Sequence, residues 1–448
     1  MDFNKVYCAD SLEFLDQIPE NSIDLIVTDP PYGLEFFGKD WDKAVPSVEI
    51  WKKCLKVLKP GAFAFVMSAP RQDVLSRMIV NLEEAGFRTD FTSTYWTFAT
   101  GFPKASAVAK SIDRKLGIEP KVVGVKQNTY DGCVRDPSKH KSPAELSNIG
   151  EWGLSKTPHG MPLTEAVSEK AKAVEGGFPG YNPKPAVEVI LTVMKPLFAG
   201  SYLEQAMDNG KGITYLDYCR IPYKDKDDMS SATPQGKCIS KKPGVIGAEP
   251  DAGRNIEKVE FERPELKGRF PANLLVSNDI LDDGIERKSN RCDKPSDCGG
   301  NTWGGTIQTN RGPRGYDDAG SFSRYFDIDR WWEDKMGELP EEVRKTLPFM
   351  IVSKVCKSER QKGLRKIVNN HPTVKPIKLL SYLITLGSKK EDVVLDPFSG
   401  SGTTGMAAVA FKRKFIGIEK ERDYADMANE RIDSVKKEME SFFDYEEE

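Results

Sequence analysis

Residues 22–28 form the apolar run SIDLIVT, and Asp29-Pro30-Pro31-Tyr32 follows it at once. The run is rich in Ile, Leu and Val and predicts a buried strand, while the two prolines predict a stiff turn. In an open α/β sheet, ligands bind at the carboxyl ends of the strands. A carboxylate, a backbone carbonyl and an aromatic ring at that place suit a planar group with an exocyclic amine, which needs two acceptors and a ring to stack on.

A second stretch far along the chain has the same layout. Residues 392–404 have the sequence DVVLDPFSGSGTT, in which a short apolar strand precedes Asp396-Pro397-Phe398 and a turn containing Gly400 and Gly402. Glycines let the backbone approach a ligand closely, and Glu419, after the next predicted strand, can accept hydrogen bonds from ribose hydroxyls. The alternative for Glu419 is a solvated surface acid. The turn lacks both GxGxxG and GK[ST], which argues against an NAD fingerprint or a P-loop.

The intervening sequence alternates between strand and helix patterns. Strands are predicted at 62–68, 91–98 and 186–194, and helices at 48–58 and 74–85. This alternation predicts a doubly wound, mostly parallel sheet of the α/β class. If the strands before Asp29 and Asp396 lie side by side, their carboxyl ends meet at a switch point, where a ligand site is expected.

Composition narrows the class of protein. The 448 residues are enough for two or three domains, with 39% hydrophobic and 30% charged residues. Because no apolar run reaches the length of a membrane span and Met1 starts no signal peptide, we expect a cytoplasmic protein. The eight cysteines include no CxxC pair, and we expect no metal site. The net charge of −3 does not by itself predict nucleic-acid binding. The basic run 354–378 is either a local contact for nucleic acid or a solvated surface.

Together, the two stretches resemble the permuted β class of adenine-N6 and cytosine-N4 DNA methyltransferases, in which a DPPY-type loop precedes an FxGxG-type cofactor loop. Residues 371–376, with the sequence HPTVKP, match a further element of that family. The segments GITYLDYCRI and GRFPANLL resemble stretches of phage-type members. The resemblance implies a Rossmann-like fold dependent on S-adenosylmethionine, with a large inserted target-recognition region.

The resemblance also implies roles for individual residues. Asp29, Pro30, Pro31 and Tyr32 are expected to hold the target amine and base. An Asp like Asp10 approaches the cofactor's adenine, although without the family a helix N-cap is the alternative. Phe36, Phe37 or Trp41 are candidates for the other wall of the base pocket. The full set of expected cofactor-binding residues is Asp10, Thr373, Lys375, Asp396, Pro397, Phe398, Gly400, Gly402, Thr403 and Glu419.

The implied domain organisation places the catalytic parts at both ends of the chain. The predicted segments are 1–104 with the DPPY loop, 105–185 as a polar insertion, 186–197 as a strand returning to the catalytic sheet, 198–347 as the target-recognition domain, 348–440 with the cofactor loop, and 441–448 as an acidic tail. Within the recognition domain, the Gly-, Arg- and aromatic-bearing stretch 290–330 is the predicted contact with DNA, or else a surface loop without contacts.

The expected function is site-specific methylation of adenine N6 in double-stranded DNA by base flipping. Asp29 favours adenine because cytosine-N4 enzymes usually carry Ser at that position. Cytosine-N4 methylation, methylation of RNA or protein amines, and a non-catalytic DNA-binding protein are the alternatives. A homodimer and an accompanying restriction nuclease are left open as partners, and no membrane partner is expected.

Overall fold

The computed structural model describes residues 1–33, 44–98, 107–119, 121–126, 161–181, 183, 186–226, 228–229, 239–240, 259–260, 268–276, 287–288, 319–320, 325–337, 361, 364 and 374–443. The chain divides into two compact units, one formed by Met1–Thr100 with Ala186–Glu448 and the other by Gly101–Pro185.

The described strands are β1 (Lys5–Cys8), β2 (Ile23–Thr28), β3 (Leu58–Ser68), β4 (Thr94–Thr97), β5 (Lys121–Lys126), β6 (Met161–Glu165), β7 (Val187–Met194), β8 (Ile239–Ser240), β9 (Val259–Glu260), β10 (Leu274–Val276), β11 (Arg287–Lys288), β12 (Ala319–Gly320), β13 (Val393–Asp396) and β14 (Lys414–Glu419). The described helices are α1 (Ser11–Phe14), α2 (Val48–Val57), α3 (Gln72–Glu84), α4 (Val108–Lys115), α5 (Glu169–Lys172), α6 (Tyr202–Asn209), α7 (Ile328–Gly337), α8 (Ile377–Gly387), α9 (Thr403–Ala410) and α10 (Arg422–Phe443).

Among the described residues, eight strands form one sheet in the order β1-β14-β13-β2-β3-β7-β4-β10. Its neighbouring strands are parallel except that β7 runs antiparallel to both β3 and β4. The two ends of the chain meet at its centre, where Leu25 and Ile26 of β2 pair with Val394 and Leu395 of β13. The predicted fold class, a doubly wound and mostly parallel α/β sheet, is therefore confirmed.

The side chains of β2 show why the sheet is covered on both faces. Leu25 and Val27 pack into one apolar cluster with helices α7 to α10, whereas Ile26 packs into the other cluster with α1, α2 and α3. Successive side chains of a strand point to opposite faces, so a continuous apolar run is what a doubly covered strand requires.

Strand β3 begins earlier than predicted. It starts at Leu58 and includes Pro60 and Gly61, which were expected to separate helix α2 from the strand. The pairing with β2 shifts register in this stretch, and Gly61 has a φ of +76°. The irregular pairing accommodates both residues, because glycine reaches positive φ easily and proline is tolerated at bulges.

Part of the predicted recognition domain, 198–347, lies in the sheet unit. Strand β10 pairs in parallel with β4, and Leu275 and Val276 are buried. On helix α7, Trp331 packs edge-on against Tyr382 of α8, with 4.9 Å between ring centroids. The apolar side chains of these segments are buried against the sheet. If the segments formed a separate domain, this part of the sheet would be uncovered. Most of 290–330 lies outside the described residues.

The unit Gly101–Pro185 contains helices α4 and α5 and the antiparallel pair of strands β5 and β6. In the described part of this unit, the carboxylate of Asp113 accepts hydrogen bonds from the backbone N–H groups of Val167 and Ser168 and from the Ser168 hydroxyl. These bonds tie α4 to the start of α5. Of the helices in the described ranges, none is both long and apolar enough to cross a membrane.

A buried charge network lies at the amino ends of β2 and β13, opposite the edge where ligands are expected. The Lys211 ammonium is 2.8 Å from Asp24 Oδ1 and 2.9 Å from Asp392 Oδ2, and Lys59 Nζ is 2.6 Å from Asp24 Oδ1. The backbone N–H of Val393 donates to Asp24 Oδ2. The network therefore joins the two central strands through side chains from three parts of the chain.

We expect Lys211→Met to destabilise the protein by about 3 kcal/mol, because removing one partner leaves a buried carboxylate short of its cation. The matched control is Lys52→Met. Lys52 pairs with Glu49 on the surface of α2, where loss of an ion pair costs less than about 1 kcal/mol. Chemical denaturation measures both variants, and equal losses would show that the Lys211 network contributes no more than a surface pair.

The same network predicts a pH dependence of stability. Burial raises the pKa of Asp24, but hydrogen bonds from Lys211, Lys59 and the Val393 N–H outweigh burial and leave the pKa below its ordinary value of 3.8. The native state therefore binds this proton less readily than the unfolded state, and the stabilisation disappears as pH falls below the ordinary value. As pH falls from about 4 to about 2, where that loss develops, wild type should lose more stability than Lys211→Met. Parallel curves for the two proteins would contradict this.

Candidate active site

The carboxyl ends of four neighbouring strands bring four acids to one edge of the sheet. Asp10 follows β1, Asp29 follows β2, Asp396 ends β13 and Glu419 ends β14. The Thr28 hydroxyl donates to Asp396 Oδ1 across β2 and β13, at 2.6 Å. The DPPY stretch and the glycine turn, which lie at opposite ends of the chain, thus form adjacent parts of a single edge.

Asp29 is the centre of a charged cluster. The Tyr32 hydroxyl donates to Asp29 Oδ1 at 2.5 Å, and the Lys375 ammonium donates to Asp29 Oδ2 at 2.6 Å. Lys375 Nζ also lies 3.2 Å from Glu188 Oε2, 3.3 Å from the Tyr32 hydroxyl and 5.4 Å from the centroid of the Tyr32 ring. The carboxylate of Asp29 therefore already holds an N–H donor that lies over an aromatic ring.

Lys375, which was predicted to bind the cofactor, contacts Asp29 and Glu188, and its contact with the cofactor stays a prediction. Its side chain is held at the start of helix α8, for which Pro376 is the N-cap residue. Burial lowers the pKa of Lys375, but the negative charges and hydrogen bonds of Asp29 and Glu188 outweigh burial and raise it. The side chain therefore remains an ammonium ion at neutral pH.

Glu188 is a residue that sequence reasoning did not assign to the site. It is the second residue of β7, which runs antiparallel to β3, so the start of β7 lies at the same edge as the ends of the parallel strands. The sequence signal is an acid within the otherwise apolar strand VEVILTVM. That signal becomes informative only once the direction of β7 is known, since a parallel strand would put Glu188 at the opposite edge.

Asp396 has a different environment from Asp29. Its side chain is buried, and its carboxylate accepts hydrogen bonds from the Thr28 and Thr404 hydroxyls, both at 2.6 Å, and from the Phe398 N–H. Burial raises the pKa of Asp396 to about 6, although these hydrogen bonds act in the opposite direction. Three protein donors thus engage the carboxylate that was predicted to bind cofactor, and they tie β13, the turn and α9 together.

The glycine turn has the backbone shape that its sequence predicts. Gly400 and Gly402 have φ angles of +51° and +80°. A Cβ atom on Gly402 would lie 2.7 Å from the Cβ of Ala428, so this position admits no side chain without movement of α10. The Gly400 N–H donates to Glu419 Oε2, the Glu421 N–H donates to Oε1, and burial raises the pKa of Glu419.

These features fit a nucleoside-type ligand. Gly400 has no side chain, which lets a ligand approach the backbone there, and the Glu419 carboxylate next to it is oriented by two backbone donors. Each carboxylate oxygen can accept more than one hydrogen bond, so Glu419 retains acceptor capacity for ribose hydroxyls.

The remaining predicted residues flank these groups. Asp10 is the N-cap of α1 and accepts from the Leu12 N–H, and Lys420 Nζ lies 3.2 Å from its other oxygen, so the N-cap alternative is present. The Pro397 carbonyl accepts from the Ser11 hydroxyl, and Thr403 opens α9. Phe398 packs on Trp51, with 6.2 Å between ring centroids. Pro30 and Pro31 follow Asp29 in the loop, and the predicted residues outside the described ranges are Thr373, Phe36, Phe37 and Trp41.

The mostly parallel sheet has a DPPY loop and a glycine turn at its carboxyl edge. This arrangement is typical of a Rossmann-like methyltransferase. Residues 216–430 match the family model of the DNA methylases. The predicted resemblance to the N6 and N4 DNA methyltransferases is thereby confirmed, and S-adenosylmethionine is the cofactor of such enzymes.

The chain is also similar to individual proteins. It is 34% identical over 124 residues to the type II methyltransferase M2.MboI of Moraxella bovis, covering 25% of this chain and 44% of that protein. It is 52% identical over 66 residues to M.HinfI of Haemophilus influenzae, covering 15% and 18%. The chain thus spans less than half the length of these curated relatives. A solved structure of TTHA0409 from Thermus thermophilus in complex with S-adenosyl-L-methionine aligns over 96% of this chain and 95% of that one, with 15% identity and a TM-score of 0.34.

Proposed function

We propose that this protein is a site-specific DNA methyltransferase that methylates the exocyclic N6 amine of adenine in double-stranded DNA. The observation that carries the proposal is the Asp29 cluster, in which a carboxylate holds an N–H donor over the Tyr32 ring. A base amine needs the same acceptor and the same aromatic neighbour. The adjacent glycine turn and Glu419 supply the second ligand site at the same sheet edge.

S-adenosylmethionine supplies, when bound, an electrophilic methyl group on a positively charged sulfur. We assign its adenosine part to the glycine turn and Glu419. Asp396 acts through the turn, because its carboxylate holds Thr28, Thr404 and the Phe398 N–H in place. The contacts expected from Asp10, Pro397, Phe398, Thr373 and Thr403 remain part of the proposal.

Asp29 and the Pro30 carbonyl are proposed to accept the two hydrogens of the target amine. The lone pair of such an amine is delocalised into the ring, and hydrogen bonds to both hydrogens favour a pyramidal nitrogen with a localised lone pair. Pro30 and Pro31 keep the two acceptors in place by restricting the loop. The contribution of the chain is therefore mainly positioning and electrostatic stabilisation.

A base inside a duplex cannot reach an edge of this kind, so the target base is proposed to flip out of the helix. Stacking on the ring of Tyr32 would stabilise the flipped base by about 1–3 kcal/mol. The segment 290–330 is proposed to contact the DNA, since it combines Gly, Arg and aromatic residues. A homodimer and an accompanying restriction nuclease remain open within this proposal.

Adenine is preferred over cytosine because the first residue of the loop is Asp29, where cytosine-N4 enzymes usually have Ser. Cytosine-N4 methylation keeps the same fold and mechanism and is the second candidate. Methylation of RNA or protein amines uses similar loops and is the third.

The test is incubation of unmethylated duplex DNA with labelled S-adenosylmethionine, followed by digestion and mass spectrometry of the nucleosides. We expect N6-methyladenine as the labelled product. N4-methylcytosine would show that Asp29 does not select the base. Absence of label in DNA, with cofactor binding intact by calorimetry, would overturn the DNA substrate and redirect the search to RNA and protein.

A further inference from the structure

Three charged groups meet where the two ligand sites adjoin. Lys375 Nζ is 2.6 Å from Asp29 Oδ2 and 3.2 Å from Glu188 Oε2, and the three side chains are buried or nearly so, at 9%, 20% and 21% exposed in that order. Asp29 and Glu188 each contribute a negative charge to this cluster, and Lys375 contributes a positive charge. Single charges of this kind are screened weakly when they are shielded from solvent.

This charged cluster contains Asp29, the group at which the proposed reaction takes place. If the amine is held at Asp29, as the proposed function requires, the methyl group must reach Asp29, and the positive sulfur that carries it must approach the same cluster. The demethylated product has a neutral sulfur in the same skeleton. The donor and the product therefore differ by one positive charge on sulfur, and this difference falls beside the charged cluster.

We propose that Glu188 and Lys375 set how strongly the cofactor site prefers the charged donor, S-adenosylmethionine, over its neutral product, S-adenosylhomocysteine. Glu188 increases the preference by adding a negative charge to the cluster, and Lys375 limits it by adding a positive charge. This inference rests on the methyl-donor part of the proposed function but not on DNA as the substrate. It makes Glu188 a specificity-determining residue that need not touch the base.

The geometry of the two residues makes their effects separable from general damage. Glu188 is the second residue of an eight-residue strand inside the sheet, and Lys375 leads into the buried helix α8. Glu188→Gln and Lys375→Met keep side-chain size while changing the cluster charge in opposite directions. A purely structural role would weaken the binding of both ligands in either variant, because the two ligands share the adenosine part.

The test is calorimetric titration of wild type, Glu188→Gln and Lys375→Met with each of the two ligands in turn. Glu188→Gln should lower the ratio of donor affinity to product affinity on the order of tenfold, and Lys375→Met should raise it on the order of tenfold. The matched controls are Glu49→Gln and Lys52→Met, which make the same charge changes in an exposed pair on α2 and should leave the ratio unchanged.

Unchanged ratios in both variants, or shifts of the same sign, would overturn the inference, as would failure of wild type to bind either ligand. Opposite shifts together with no labelled DNA in the nucleoside assay would support the inference and overturn the DNA substrate. Opposite shifts together with labelled DNA would support both.

Discussion

Asp29→Ala is expected to lower the rate of methyl transfer to DNA by about 10³-fold, the upper range for loss of one stabilising group from a preorganised site. The carboxylate of Asp29 holds both the Tyr32 hydroxyl and the Lys375 ammonium, so its removal takes away the amine acceptor and the anchor of the aromatic ring together. The lysine keeps Glu188 as its counter-ion, which limits the loss of stability.

Binding of S-adenosylhomocysteine to Asp29→Ala should stay within a few-fold of wild type, since the neutral product does not sense the altered charge. Asp16→Ala, which removes an exposed partner of Lys53, is the matched control and should be active. Rates from labelled-methyl transfer and affinities from calorimetry decide the outcome. Loss of product binding in Asp29→Ala would move Asp29 into the cofactor pocket, and retained activity would remove it from the site.

Gly400→Val is expected to weaken binding of both S-adenosylmethionine and S-adenosylhomocysteine by about 100-fold. This loss combines about 1–3 kcal/mol of backbone strain, from a residue in an unfavourable φ/ψ region, with overlap between the new side chain and the ligand. The φ of Gly400 is +51°, a conformation that a β-branched residue avoids. Its N–H also orients the Glu419 carboxylate, so a shift of the turn would move two parts of the ligand site.

Gly210→Val separates backbone strain from loss of the site. Gly210 ends helix α6 with a φ of +71°, and a Cβ atom built on it meets nothing within 4 Å. This control should lose stability to a similar extent but bind both ligands normally by calorimetry. Normal binding by Gly400→Val would place the cofactor away from the turn, and equal loss in both variants would mean that strain alone explains the result.

Much of the fold follows from local patterns. The strands before Asp29 and Asp396, the glycine turn and the helices near 48–58 and 74–85 are where their sequences predict, because apolar runs, prolines and glycines act over a few residues. Patterns of this range were less informative about β10, a three-residue strand inside the predicted recognition domain, and about β3, which contains its Pro-Gly pair as an irregularity. In both cases burial against the sheet outweighs local propensity.

The sequence by itself determined that an acid with an aromatic neighbour and a glycine turn with a following acid stand at strand ends, and these features identify the family. Only the tertiary structure decided which charges meet. The ion pair between Lys375 and Asp29 joins residues 346 positions apart, and Glu188 reaches it because β7 alone among the described strands of the sheet runs in the opposite direction. Strand order and direction arise from packing across the whole sheet, so no local pattern could show that the ammonium contacts Asp29.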